Sequence, residues 1–181
     1  LKMKRSSRDI LVIVGVLIVV AVGYFLFKEP SPLSKQEAAV EFEHPDVEGM
    51  DRNAMPSLAN FPTDYESLVQ LGNQLMDQGN FPIAAEAYKR ALAIDPRDPN
   101  VRTDFGACLH GMGLQRRAIE EFHRVLTEHP EHAIANFNLG IVFYNTKTLD
   151  SARYYWKEYL RIEPDGQAAA QAKQYLETIG G

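Results

Sequence analysis

Residues 65–98 read YESLVQLGNQLMDQGNFPIAAEAYKRALAIDPRD, residues 99–132 read PNVRTDFGACLHGMGLQRRAIEEFHRVLTEHPEH, and residues 133–166 read AIANFNLGIVFYNTKTLDSARYYWKEYLRIEPDG. Laid over one another, these 34-residue blocks agree in four columns. Leu71-Gly72 aligns with Phe105-Gly106 and Leu139-Gly140, Ala84 with Ala118 and Ala152, Tyr88 with Phe122 and Trp156, and Pro96 with Pro130 and Pro164. A fixed period of this length, kept without insertion, means stacked copies of one supersecondary unit.

Each column has a physical reason. The small Gly72, Gly106 and Gly140, with Ala84, Ala118 and Ala152, let two antiparallel helices approach closely while bulky neighbours fill the seam. Gly79 and Gly113 give the end of a first helix its backbone freedom, and Asn80 is placed to cap the helix that follows. Pro96, Pro130 and Pro164 stop the second helix, because proline lacks the amide and clashes with the preceding turn. Asp98-Pro99 restarts the chain, with aspartate capping and proline at the first helical position. Thr63-Asp64-Tyr65-Glu66 has the pattern of a capping box and opens the array after Pro62.

From Tyr65 through Gly166 these columns resemble the tetratricopeptide repeat. The resemblance implies an all-α, right-handed solenoid of three helix-turn-helix repeats, 65–98, 99–132 and 133–166. The segment QAAAQAKQYLETI, 167–179, is similar to the extra helix that covers the last repeat's apolar face in that family. Seven helices are expected over a domain at 63–181. The chain departs from the family pattern in having Leu68, Arg102 and Asn136 where an early aromatic is usual, and Lys147 in place of the turn glycine. Both departures are expected to lie at helix ends or edges.

The resemblance also implies a ligand surface on one stripe of the first helices, at the second, fifth, ninth and twelfth positions of each repeat. Those positions hold Glu66, Val69, Asn73 and Met76; Asn100, Thr103, Ala107 and His110; Ile134, Phe137, Ile141 and Tyr144. Their spacing shares one helical face, with Asp104 and Asn138 beside it. Chaperone-binding members clamp a carboxylate tail with Lys and Arg here, whereas this chain has Val69, Asp104, Ile134 and Asn138. Only Asn73 agrees with that clamp. What remains is an apolar groove edged by amides, suited to an extended peptide or amphipathic helix, with Phe137 and Tyr144 as the expected anchors. The rival reading is that this protein's own linker or C-terminal helix covers Ile134, Phe137 and Ile141.

Ahead of the array, residues 10–27 read ILVIVGVLIVVAVGYFLF, 18 apolar or weakly polar residues. At about 1.5 Å each they span roughly 27 Å, close to a bilayer's hydrocarbon core. Lys2, Lys4, Arg5 and Arg8, within residues 1–9, place that end in the cytoplasm by the positive-inside rule. A cleaved signal peptide is the alternative, but no Ala-x-Ala site follows the run. Residues 28–62 form an acidic, proline-punctuated linker, with one short helix expected from the Ser34-Lys35-Gln36-Glu37 box.

The charge of −5 and the lack of a Lys/Arg cluster outside the first ten residues argue against nucleic acid. Cys108 is the sole cysteine, so an internal disulfide, paired-cysteine metal or redox motifs and haem attachment are excluded. His129 and His132 flank a turn that lacks further metal ligands. Cys108 has no neighbouring histidine to activate it and reads as a packed core thiol, while Arg116-Arg117 and Glu120-Glu121 read as a solvated face. No phosphate loop or catalytic elbow is present, so no cofactor, metal, small-molecule substrate or enzymatic activity is expected. The expected role is a scaffold of the bacterial inner membrane, with its repeats in the periplasm, that binds other proteins and assists assembly of an envelope complex. Its architecture resembles that of anchored repeat proteins of c-type cytochrome maturation and of the secretory translocon. The alternative is a permanent structural subunit of a respiratory, photosynthetic or other membrane complex.

Overall fold

The computed structural model describes residues 61–180. The expected membrane span at 10–27, and most of the expected linker at 28–62 with its short helix, lie outside the described residues. Among the described residues there are seven α-helices and no strand: α1 Tyr65–Asp77, α2 Phe81–Ile94, α3 Pro99–Gly111, α4 Gln115–Glu128, α5 Ala133–Asn145, α6 Leu149–Ile162 and α7 Ala169–Thr178. Each packs on the next, and α3 also touches α5, as stacked repeats require. None of these helices is long and apolar enough to cross a membrane.

The first helix of every repeat starts on a side-chain cap in one column. Asp64 accepts from the Ser67 amide at 2.9 Å, and Asp98 from those of Asn100 and Val101 at 2.8 and 3.0 Å. At the third such position, His132 Nδ1 accepts from the Ala135 amide at 3.1 Å. The cap of α1 is thus Asp64, one residue later than the expected Thr63 box, because Asp64 has the extended backbone that aims its carboxylate at the third amide. Asn80 makes no such bond, since its backbone is not extended. The second helices instead begin on a backbone closure repeated three times. Asn80, Leu114 and Thr148 donate their amides to Leu75, Leu109 and Phe143 carbonyls at 2.8, 2.9 and 2.8 Å.

That closure needs a left-handed residue just before it. Gly79 and Gly113 have φ of 72° and 77°, and Lys147 is forced to 63° in the same place. The missing glycine therefore leaves the turn unchanged and is absorbed as backbone strain of about 1 kcal/mol. The other departures are not at edges. Leu68 and Asn136 are buried, and Asn136 donates to the His132 carbonyl at 3.1 Å. Arg102 pairs with Glu121 at 2.8 Å in a mostly buried bridge, so Glu121 is part of the α3 to α4 packing and not a solvated face. Arg116 and Glu120 are exposed, as expected.

Under the column glycine of each first helix lies the aromatic ring of the second helix: Tyr88 below Gly72, Phe122 below Gly106, Trp156 below Gly140. All three rings are fully buried, as are Ala84, Ala118 and Ala152. Helix α7 closes the stack. Tyr175 stacks on Trp156 at 4.6 Å between ring centroids, Tyr159 Oη accepts from the Ala168 amide at 3.0 Å, and Arg153 donates to the Ile179 and Gly180 carbonyls. Cys108 is buried and its thiol is pushed up to about 12 by burial and by Asp104, which makes it inert as a nucleophile.

The imidazole cap carries a pH dependence. Capping needs a lone pair on Nδ1, and burial, with His129 nearby, holds the His132 pKa below the usual 6.5. A depressed pKa means the folded state resists protonation. The contribution is complete above about pH 6.5 and is lost as pH falls through the lower folded value. His123, lowered by burial, adds in the same direction, whereas Asp104 acts in the opposite one. A His132→Ser variant isolates the effect, because serine caps without titrating. Relative to it, the parent is expected to lose stability between pH 7.5 and 5 in urea titrations, by at most the roughly 1 kcal/mol that a side-chain cap contributes. A constant difference would show that the cap does not depend on the neutral ring.

Candidate functional site

Helices α1, α3 and α5 lie side by side, and polar links join their ends. Tyr65 Oη donates to Asp98 at 2.5 Å, fixing the start of α3 against α1. That bond, with the Asn100 and Val101 amides, holds the Asp98 carboxyl below its usual range against the opposing effect of burial. Between α3 and α5, His132 Nε2 donates to Asn100 Oδ1 at 3.1 Å at one end. At the other, Asn145 donates to His110 Nε2 at 3.1 Å, while His110 Nδ1 bonds Gln115. The Ala135 amide on Nδ1 leaves Nε2 of His132 to donate, and both ring nitrogens of His110 are engaged.

The expected stripe runs between these ties. Glu66, Asn73 and Asn100 are exposed, and Val69, Met76, Ala107, His110, Phe137, Ile141 and Tyr144 are half-buried. Ile134 is 42% exposed, unusual for a large apolar residue here. Thr103 is the exception: it is buried and its hydroxyl donates to the Pro99 carbonyl at 2.7 Å, so a ligand cannot reach it. Tyr144 lies against Trp156 and Tyr175 at 5.7 and 5.5 Å, with Lys147 Nζ 5.5 Å above it. It belongs as much to the docking of α7 as to the groove. Phe137 meets Tyr159 edge-on at 5.3 Å and is half-buried. The C-terminal helix thus covers the Tyr144 end and leaves Ile134 partly exposed.

Two polar groups shape the rest. Tyr88 Oη, reaching out from under Gly72, donates to Asn73 Oδ1 at 2.7 Å, which turns the Asn73 amino group outward. Asp104 is half-buried, and burial, then the charge of Asp98, pushes its carboxyl up to about 6. Among the described residues no hydrogen bond or ion pair engages it. Asn138, at the same repeat position on α5, is half-buried. The stripe holds a carboxylate at Glu66 and has Asp104 beside it, and its own positions carry no Lys or Arg.

The ties at His132, Asn100, His110 and Asn145 escape a reading by stripe position. A signal existed for one of them, since His132 stands in register with the capping residues Asp64 and Asp98. Among the described residues no three metal-ligating side chains gather. A depression of about 600 Å³, lined by Asp95, Arg97, Asp98, Pro99, Asn100, Glu128 and His129, lies at the turns between repeats and meets the stripe only at Asn100.

Comparison with known proteins agrees with this architecture. The chain is 26% identical over 113 residues to the tetratricopeptide repeat and J domain-containing co-chaperone DNJ1 of Cryptococcus neoformans, 62% of this chain and 21% of that one. It is 26% identical over 126 residues to the photosystem I assembly protein Ycf3 of Cyanophora paradoxa, covering 60% of this chain and 72% of that protein. The crystal structure of YrrB, described as a TPR protein with an unusual peptide-binding site, superposes with a TM-score of 0.56 at 26% identity over 61% of this chain and 57% of that one. The chain spans about a fifth or less of the first curated relatives it matches, and two relatives named for enzymatic activities are covered over 19% and 9% of their length. Family models described as TPR repeat and tetratricopeptide repeat match residues 72–113 and 112–172. Together with the helix pairs and the glycine-aromatic seams, these matches identify the chain as a member of the tetratricopeptide repeat family, whose fold is a protein-interaction scaffold.

Proposed function

We propose that the groove along α1, α3 and α5 binds an extended or helical segment of a partner protein. The chain is then a scaffold that assists assembly of a membrane-associated complex, tethered to the bacterial inner membrane through residues 10–27 with its repeats in the periplasm. The observation that carries the reading is the half-open apolar run of Ile134, Phe137 and Ile141, which the domain's own helices support from below and leave uncovered above. The named roles of Ycf3 in assembly, of DNJ1 as a co-chaperone and of YrrB in peptide binding support it.

Photocrosslinking in membranes, with a photoreactive residue at Phe137, identifies what occupies the groove. Ile134→Ala with Phe137→Ala is expected to weaken partner capture roughly 10- to 100-fold, as two interface anchors do, with helix content unchanged. Tyr144 is spared because its loss would also loosen α7. Undiminished capture would place the binding surface elsewhere. The topology is tested separately by adding protease to intact spheroplasts, where digestion of the repeats is expected and their protection would reverse the orientation.

A further inference from the structure

The charge of the groove says what kind of segment fits it. Asp104 stands on α3 four residues beyond Asn100, and Phe137 on α5 five residues beyond His132. Asn100 and His132 are bonded to each other. At about 1.5 Å of rise per residue, both side chains lie roughly 6–8 Å past that tie, at one level of the groove. A half-buried carboxylate with no cation engaging it thus sits level with a half-buried aromatic ring, and Ile134, which is exposed, and Ile141 lie one turn to either side. His110, the stripe's only residue able to carry positive charge, has both ring nitrogens engaged, by Asn145 and by Gln115, and neither reaches Asp104. Desolvating a carboxylate without a counter-charge is costly, so a neutral or acidic guest would leave Asp104 worse off than water does. A cationic guest would reverse that penalty.

We propose that the groove selects a partner segment bearing a lysine or arginine that seats on Asp104, flanked by large apolar side chains that rest on Ile134, Phe137 and Ile141. This rests on the groove reading above and adds the chemistry of the guest. The recognition is inverted relative to family members that grip acidic tails with basic residues. Two other occupants are disfavoured on charge. The protein's own linker carries Glu37, Glu41, Glu43, Asp46, Glu48 and Asp51 against Lys35 and Arg52, and a second copy brings a net charge of −5.

The test immobilises the full chain in detergent micelles and selects from a displayed library of random twelve-residue peptides, in parallel with Asp104→Asn and with Ile134→Ala/Phe137→Ala. The parent is expected to enrich peptides combining one basic residue with two or more large apolar ones. Asp104→Asn is expected to lose the basic preference and to bind the parent's consensus peptide at least tenfold more weakly. Its thermal midpoint should be no lower than the parent's, because the substitution removes a charge that burial disfavours. Asp104→Lys is expected to recover affinity for the consensus peptide with its basic residue changed to glutamate. A consensus without basic residues, or one unchanged by Asp104→Asn, overturns this inference while leaving the groove intact. No enrichment, or enrichment equal on the Ile134→Ala/Phe137→Ala chain, overturns the groove reading itself and this inference with it.

Discussion

Trp156→Ala is expected to cost the domain about 3–5 kcal/mol, the range for truncating a large buried aromatic, and to release α7. The ring is fully buried, lies against Gly140, and carries the stack on Tyr175 that anchors the last helix. The remaining attachments of α7 are the tilted Tyr144 contact on Tyr175, the small buried side chains of Ala169 and Ala172, and the Tyr159 to Ala168 and Arg153 bonds, which are partly exposed and worth about 1 kcal/mol each. They are insufficient to hold a ten-residue helix that is marginal on its own. Urea unfolding should show the lost stability, and hydrogen exchange should show the amides of residues 169–178 opening ahead of the rest. Protected α7 amides in the variant would mean that the aromatic stack is not what docks the helix.

Gly140→Ala has a sign that two effects contest. Alanine in a helix interior gains about 1 kcal/mol over glycine. Its Cβ, however, would stand 2.3 Å from Trp156 Nε1 and 2.4 Å from Cδ1, where no carbon can sit. Overpacking a buried site costs about 1–3 kcal/mol, and more when the neighbour cannot move. Trp156 is clasped between Gly140 and Tyr175, so it cannot move. Sterics should win, with a net loss of about 2 kcal/mol read from urea midpoints. A stabilised variant would show that the seam has slack and that helix propensity decides this column.

Most of the fold was legible in the sequence because its determinants recur. A glycine that recurs 34 residues apart, with an aromatic 16 positions on, reports the same helix crossing three times. What the period could not report is how a position is filled when the usual residue is absent. Leu68 and Asn136 were expected at an edge and are buried, since the site lies between helices whatever occupies it. Glu121 looked solvated on its own helix and is buried by Arg102 of the preceding one. The site was legible as a stripe but less so in its members. Thr103 turns its hydroxyl back to the carbonyl four residues earlier, a local bond open to Ser and Thr alone. Tyr144 meets Tyr175 across 31 residues of chain, a contact to which spacing within a repeat is blind.

The hydrogen bonds that join α3 to α5 at both ends have a kinetic corollary. Walls fastened top and bottom cannot spread to admit a bulkier guest, so the guest must do the conforming. Related segments would then meet the cleft at similar speeds and part from it at very different ones, and residence time, not encounter, would rank them.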